Sequence, residues 1–377
     1  MQVSVVKVPS IVDEKSVCGA VRKAINIVGG MHSIVEKGDC VIVKPNFFGP
    51  RSSLHGATTS LTVVREIVEE IFECGAEALI AEGPFRFYEA DVVFNAVGVK
   101  KFAQELGIKL INLNEEPSVE VDVPLGKALK RIKVPKLVLD ADKLINVPKM
   151  KTHHLTTVTL GMKNLKGVLP GAEKQKSHIH GIHQSIVDIN KLVKSDLIVV
   201  DGIVAMEGMG PTFGDPVELG VVVAGKNVID VDRVCCELMG VNPLQVEHLR
   251  LAIEEGLGSN NVEIVGENLV SVRRRFKIPK ESGTYLFLSG VAQRFDRLVY
   301  RFSGKNIFPF LSAMFGKRPR IDKTKCVKCG ICEKMCILSP PAINCKTGKI
   351  SHRCVDCLLC MEQCPKNAIS VRGLAAK

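Results

Sequence analysis

The sequence predicts an α/β protein, with a large region built on a parallel sheet and a small α+β unit at the C-terminus. Three observations predict this. Short apolar runs alternate with segments of helical periodicity from residue 2 to about residue 268. Several of the runs end in polar, Gly or Pro residues, as strands do when they hand over to a loop. Nine of the fourteen cysteines crowd between Cys326 and Cys364. The expected organisation is an α/β domain over 1–270, with lobes at 1–128 and 129–270, a basic and amphipathic linker over 271–320, and a cysteine-rich domain over 321–377.

The elements follow in order. QVSVVKV at residues 2–8 is a short apolar strand. Residues 14–29 place Val17, Val21, Ala24, Ile25 and Val28 at helical spacing and stop at Gly29-Gly30. A buried strand, CVIVKP, begins at Cys40. Thr59-Ser60 cap the helix LTVVREIVEEIFECG, which ends at Gly75. EALIAEGP is a strand, residues 97–106 a helix and IKLINLN another strand. A second segment starts near Leu129 with the strand signals RIKVPKLVLD and DKLINVPKMKTHH. SIVDINKLVKSD is a helix leading to the strand LIVVDGIVAMEGMGP, with Asp201 at its end. ELGVVVAG is a strand and NVIDVDRVCCELMG a helix closed by Gly240. Ligand sites in such sheets lie at the carboxyl ends of strands, where Lys44, Asn46, Glu82 and Asn112 fall.

The cysteines have a stricter pattern. CVKCGICEKMC from Cys326 and CVDCLLCMEQCP from Cys354 share the spacing C-x2-C-x2-C-x3-C. Thiolates so spaced hold cubane iron–sulfur clusters, the fourth Cys of each run serving the other cluster. By that rule Cys326, Cys329, Cys332 and Cys364 hold one 4Fe–4S cluster, and Cys354, Cys357, Cys360 and Cys336 hold a second. A pair of zinc sites is the competing reading, disfavoured by three evenly spaced Cys plus a fourth, twice over. The runs form an internal repeat when two extra residues are allowed after Cys336, which aligns Cys345 with Val371 as a packed strand residue. The stretch resembles the bacterial two-cluster 4Fe–4S ferredoxin domain, from which it departs by carrying Ile337, not Pro, after Cys336.

The net charge is +11. From Lys317 to Lys377 thirteen Lys or Arg face four Asp or Glu. Such a surplus suits clusters bearing thiolate charge and an acidic redox partner. Nucleic acid is the weaker reading, because no reader motif or stacking set accompanies the charge. No apolar run is long enough to cross a bilayer, and MQVSVVKVPSIVDEKS lacks the layout of a signal peptide. A cytoplasmic protein is expected, with Cys18, Cys40, Cys74, Cys235 and Cys236 as reduced, buried thiols. TYLFLSGVAQRFDRLVYRF interleaves apolar residues with charges, and packing on its own domain is expected over contact with a membrane surface.

Residues 149–183 hold five of the nine His and six Lys, among several Gly and few acids. Two readings stand level. Lys149, Lys151, Lys163 and Lys166 could bind a small anionic substrate, with Gly161, Gly167 and Gly171 allowing close backbone approach. His178, His180 and His183 could instead bind a metal. His153 or His154 would serve as acid or base, and Asp201 or Glu207 would orient the imidazoles or bind a cation. A solvated loop is the bland alternative. Neither G-x-G-x-x-G nor a P-loop occurs, so no nicotinamide or ATP site is supported.

Lys44-Pro45-Asn46, Lys151-Thr152-His153, Gly161-Met162-Lys163-Asn164, Lys166-Gly167, Asp201-Gly202 and Gly208-Met209-Gly210-Pro211 occur in order. Together they resemble domain-of-unknown-function family 362 over roughly residues 35–260, a family often fused to a two-cluster ferredoxin module. A fainter similarity links Lys166-GVL-Pro170-Gly171 to nickel-pincer lactate racemases, whose cofactor-holding Lys and His would match Lys166 and one of His178, His180 or His183. The leading expectation is an iron–sulfur oxidoreductase or electron-transfer protein. Its two clusters would exchange electrons with a soluble donor or acceptor protein and with a substrate among Lys44, Asn46, Lys151, His153, Lys163 and Lys166. The alternatives are a non-redox ligand- or metal-binding module with structural or redox-sensing clusters, and a racemase- or lyase-like enzyme.

Overall fold

The structure is a computed structural model. It describes residues 1–85, 88–153, 155–211, 213–279 and 319–334, with residues 336, 340–351, 354, 360, 364–366 and 368–371 of the C-terminal region. Most of the 271–320 linker, His154 and Cys357 lie outside the described residues, as does the side chain of His178. The chain forms two compact units, Met1–Pro279 and Lys280–Lys377. Among the described residues no helix is long and apolar enough to cross a membrane.

The first unit is built on a sheet whose central order is β12-β1-β11-β10-β7-β2-β3-β4. These strands are β1 (Gln2–Lys7), β2 (Cys40–Pro45), β3 (Glu77–Glu82), β4 (Lys109–Asn112), β7 (Lys143–Val147), β10 (Leu197–Met209), β11 (Phe213–Gly225) and β12 (Glu263–Gly266). β5 (Ser118–Asp122) and β6 (Arg131–Pro135) form a separate antiparallel pair. β8 (Lys149–His153) pairs with β10 and with β9 (Thr157–Thr159). All the central strands run parallel except β11, which turns back beside β10 and β1. Strands from both sides of residue 128 therefore share one sheet.

Alternate residues of each strand enter different cores, as the pleat demands. Val41, Val43, Ile80, Ile145, Val199 and Val222 face one layer, shared with α1 (Glu14–Ile27), α2 (Leu61–Glu73), α3 (Ala90–Val97) and α4 (Val99–Leu106). On the opposite face Ile198, Val200, Val221 and Val223 meet α9 (Val228–Leu238) and α10 (Glu247–Glu254). Ile42, Leu79, Ala81 and Leu144 meet the β5–β6 pair and Leu165, Val168 and Ile189. α1 starts where Asp13 accepts the Ser16 N–H at 2.9 Å, and it buries Val17, Ala20, Val21, Ala24 and Ile25.

Three local expectations are corrected. Asp201 lies inside a thirteen-residue strand, because β10 continues as a hairpin with β11. KLVLD, read as strand, forms the short helix α5 (Lys136–Asp140) after Pro135. Thr59 does not cap α2; its hydroxyl accepts the Asn46 N–H at 2.9 Å and donates to Val147 O at 2.8 Å. It thereby ties the end of β2 to the end of β7.

In the second unit, β13 (Pro319–Ile321) pairs antiparallel with β16 (Ile369–Val371), and β14 (Ile343–Asn344) with β15 (Lys349–Ile350). This is a small ferredoxin-like α+β arrangement. Its core holds Cys332, Ile343, Cys345, Cys360 and Ile369.

One buried group gives the α1–α2 layer a pH response. Burial pushes the Glu70 carboxyl up from 4.5 to about 7, against the partial relief of Arg22. A folded-state pKa above the unfolded one means that the folded chain holds this proton more tightly. The stability it contributes is full below about pH 4.5 and is lost as pH rises towards 7. Glu70→Gln, which cannot ionise, is expected to gain about 1–2 kcal/mol on the native chain between about pH 5 and pH 8. Urea denaturation of both chains at both pH values measures this, and an equal difference at the two would refute it.

Candidate functional site

The chain runs outward from β2 to β3 and β4, then returns to place β7 on the other side of β2. Between β2 and β7 the strand order reverses. In such sheets a crevice opens there at the carboxyl ends of the strands and takes the ligand. Here the two sides of the crevice are KPN at 44–46 and the segment from Val147 into β8.

Neutral amides stitch the two sides together. Asn46 Nδ2 donates to Asn164 Oδ1 at 2.8 Å, and Asn164 Nδ2 donates to Asn146 Oδ1 at 2.8 Å. Asn146 Nδ2 donates to Gly161 O at 3.0 Å. Asn164 belongs to α6 (Gly161–Asn164), whose first N–H groups, on Gly161 and Met162, are held by the buried Asp232 carboxylate at 2.8 and 2.9 Å. Burial raises the Asp232 carboxyl to about 7, and these two donors oppose that rise.

The lysines divide by partner. Lys44 Nζ is fully buried, 2.8 Å from Glu82 Oε2, and burial lowers its pKa against the pull of that carboxylate. Glu82 also accepts the N–H groups of Phe47 and Gly83 at 3.0 and 2.8 Å. Gly167 is a glycine for a steric reason, because a Cβ there would stand 2.6 Å from Glu82 Oε1 and 2.7 Å from Lys44 Nζ. Lys149 Nζ pairs with Asp201 Oδ2 at 2.8 Å. The same oxygen accepts the Ser60 N–H at 2.8 Å and Oδ1 accepts the Ile203 N–H at 3.1 Å, so Asp201 anchors the scaffold. Glu207 is likewise committed, accepting the Lys277 N–H at 3.0 Å.

Three further amines, of Lys151, Lys163 and Lys174, reach uncharged oxygens. Lys151 Nζ donates to Asn46 Oδ1 at 2.8 Å and Ala57 O at 2.6 Å, and lies 5.8 Å from the centre of the Phe48 ring. Lys174, on α7 (Gly171–Ile179), donates to Gly83 O and to Asn114 Oδ1 at 2.9 Å. Lys163 Nζ donates to Thr159 Oγ1 at 3.4 Å. Burial, then repulsion from Lys166 and Lys151, holds Lys163 well below the ordinary lysine range. Burial brings Lys166 down to about 7, and burial brings Lys174 to about 7 as well.

The histidines separate. His153 is buried, and its Nδ1 accepts the Leu155 and Thr156 N–H groups at 3.0 and 3.4 Å. It precedes a turn in which Thr157 takes the left-handed φ of 64°. His180 ends α7 and is exposed. His183, on α8 (Ile182–Leu192), sets Nε2 3.3 Å from Glu247 Oε2 and stacks on His248 with ring centres 6.0 Å apart. Burial lowers both imidazoles, His248 to about 3. Among the described residues no three His, Cys, Asp or Glu side chains are grouped tightly enough for a single ion. Lys174, Asn114, Asn146, Glu247 and His248 are members of these networks that the strand-end pattern did not pick out.

In the second unit Cys326, Cys329, Cys332 and Cys364 line one cavity, with Cys345, Ile321 and Ile369. Four thiols from both halves of the repeat thus surround one space. The repeat is visible in the bonding. The Ala342 N–H donates to Cys336 Sγ and the Ala368 N–H to Cys364 Sγ, each at 3.2 Å. Six residues separate the first pair and four the second, so the two extra residues after Cys336 are absorbed in that turn. The carbonyls of the same alanines accept N–H groups from Ser351 at 2.6 Å and Asp322 at 2.7 Å. Cys345 is buried directly after β14. Of the second ligand set, Cys360 is buried and Cys336 and Cys354 are half-buried.

Fold and site together define an iron–sulfur protein with a large α/β domain. Its family follows from comparison with known proteins: the chain belongs to the family described as Domain of unknown function (DUF362), matched over residues 41–237, and residues 349–370 match a 4Fe–4S binding domain. A thylakoid-associated protein, sll1697, of Synechocystis sp. is 29% identical over 252 residues, covering 65% of this chain and 76% of its own. The lactate racemase apoprotein of Thermoanaerobacterium thermosaccharolyticum has a TM-score of 0.43 at 15% identity over 63% of this chain, which spans 57% of that protein.

The buried Lys44–Glu82 pair sets a test of the crevice. Removing one partner leaves the other charge buried alone, so Lys44→Met is expected to cost about 3–5 kcal/mol. The double variant with Glu82→Leu is expected to recover most of that. Urea denaturation measures both, and a double variant as weak as the single one refutes the coupling.

Proposed function

We propose that this chain is an electron-transfer protein or oxidoreductase. Its second unit would carry two 4Fe–4S clusters, and its α/β unit would bind the molecule that exchanges electrons with them, in the crevice between β2 and β7. The reading rests on the four thiols of Cys326, Cys329, Cys332 and Cys364 around one cavity. Such clusters, when bound, supply one-electron chemistry.

The chain's own residues would do the rest. The eight repeat thiolates bind iron. The Ala342 and Ala368 N–H groups, aimed at Cys336 and Cys364, disperse sulfur charge and so favour the reduced state. The cations between Lys317 and Lys377 offset thiolate charge and would steer an acidic partner protein. In the crevice, Lys44 and the asparagine network fix the backbone against which a substrate would sit, with Lys151, Lys163 and Lys166 facing it. A reducing compartment, the cytoplasm, suits this reading. Cys18, Cys40, Cys74, Cys235 and Cys236 are all free thiols, and burial pushes the last two well above the ordinary thiol range.

Iron and sulfide analysis with EPR on anaerobically purified protein tests the proposal. About eight iron per chain are expected, with interacting signals after dithionite. Cys329→Ser and Cys354→Ser are each expected to lose about half the iron, and Cys345→Ser none. Zinc in place of iron, or clusters that take up no electrons, would overturn it.

A further inference from the structure

The two cysteine runs share their ligand spacing and differ in charge. CVKCGICEKMC carries Lys328 and Lys334 between its ligands, and at the matching positions CVDCLLCMEQC carries Asp356 and Glu362. Cations that served only to offset thiolate charge would fall on both runs alike, because each run supplies four thiolates. The first run therefore has a use for cations that the second does not share. Around it Lys323, Lys325, Lys328, Lys334 and Lys366 are all exposed. Lys328 holds the left-handed φ of 55°, a conformation that glycine would take without steric cost. Two apolar side chains of the same run are also exposed, Val327 at 58% and Ile331 at 37%. Both line the cavity of Cys326, Cys329, Cys332 and Cys364, as do Pro365 and Lys366, and Cys329 is exposed as well. The carboxylates described in this unit are turned to their own chain. Asp322 Oδ1 accepts the Thr324 N–H at 2.9 Å and its hydroxyl at 2.6 Å, and Glu333 Oε1 accepts the Cys345 N–H at 2.7 Å.

We infer that Val327, Cys329 and Ile331, with Lys328, Lys334 and Lys366, form the docking face for an acidic one-electron carrier protein. The inference rests on the reading of this chain as an electron-transfer protein. It adds which thiolates meet the partner, those of Cys326, Cys329, Cys332 and Cys364, and what the partner must present, carboxylates around an apolar spot. An apolar centre with a polar rim is how protein interfaces are built, and a small, weak interface is usual for redox encounters. Opposite charges speed such encounters without making them long-lived. Electron transfer weakens steeply with distance, so an exposed ligand thiolate offers the short route. One electron crosses and no bond is made or broken: the carrier is oxidised by one electron as the cluster side is reduced by one, or the reverse. Nucleic acid or an anionic membrane could use the lysines, but neither accounts for their placement around an exposed cluster ligand.

Anaerobic stopped-flow on the full-length holoprotein tests this with three reductants. Two are acidic carriers, reduced flavodoxin and reduced plant-type ferredoxin, and the third is reduced methyl viologen, a small cation. With either carrier the second-order rate is expected to fall about tenfold or more between about 20 and 300 mM salt, and with viologen it is not expected to fall. Lys328→Glu and Lys334→Glu are each expected to slow both carriers about tenfold at low salt without slowing viologen. Lys37→Glu makes the same charge change at an exposed site of the first unit and is expected to leave the carrier rates unchanged. Val327→Ser is expected to slow the carriers about threefold with the same salt slope. Iron content and cluster potentials are measured on every variant first, and Lys328→Gln and Lys334→Gln are read where a Glu variant loses iron. Carrier rates indifferent to salt or to both lysine variants, or an equal loss in Lys37→Glu, overturn the inference. So does binding of RNA or of phosphatidylserine vesicles that these variants abolish while the carrier rates stay unchanged. Clusters that viologen reduces and neither carrier does sink this inference alone. Clusters that no reductant reduces sink the electron-transfer reading beneath it.

Discussion

The crevice between β2 and β7 depends on a chain of neutral amides, Asn46 to Asn164 to Asn146, that joins two strand ends where the sheet changes direction. Apolar residues could not do this. Buried backbone groups at the strand ends need partners. Charged residues would bring a desolvation cost at each link. Asparagine carries both donor and acceptor, so three of them can form a directed series that leaves few groups unsatisfied. Asn164 also donates to Lys44 O and Pro45 O, at 3.2 and 3.3 Å, which fixes the exit of β2. Lys151 then docks on Asn46 Oδ1, an acceptor whose position the series has already set.

That arrangement explains why the lysines differ although they are close neighbours. Lys44 and Lys149 each have a carboxylate at 2.8 Å and act as parts of the frame. Lys151 and Lys174 donate to uncharged oxygens, of Ala57 and of Asn114. Burial, and then the nearby charges of Lys166 and Lys151, lower the Lys163 amine. Gly167 lies between the two classes, and only a residue without a side chain lets its backbone approach Glu82 and Lys44 so closely.

Much of this was legible in the sequence, and what was not has identifiable causes. Strand and helix periodicity located β1, β2, β3 and α1, because their buried faces are continuous in sequence. Polar residues at the ends of apolar runs pointed to Lys44, Asn46 and Glu82 for the same reason. KLVLD could not be assigned by pattern, since a short apolar run fits a strand or a buried helix equally. Asp201 looked like a strand end because Gly202 follows it; the strand continues because β11 returns to pair with it beyond the bulge after Gly202. Glu247 and His248 sit on a helix distant in sequence, and only the fold brings them to His183. The three-histidine grouping rested on spacing alone, and the helices send His180 to the surface and His183 to Glu247.

The cysteine runs were the most legible part because ligand spacing is itself a geometric statement. Three thiolates in a tight loop can converge on one cluster only if a fourth comes from elsewhere, so the sequence dictates a long-range contact. Cys364 lines the same cavity as Cys326, Cys329 and Cys332. The alanine bonds add what spacing could not supply. Ala342 and Ala368 both give N–H to a cysteine sulfur and both take an N–H at their carbonyls, although the loops leading to them differ by two residues. The repeat therefore preserves the hydrogen bond to sulfur and lets the loop length vary.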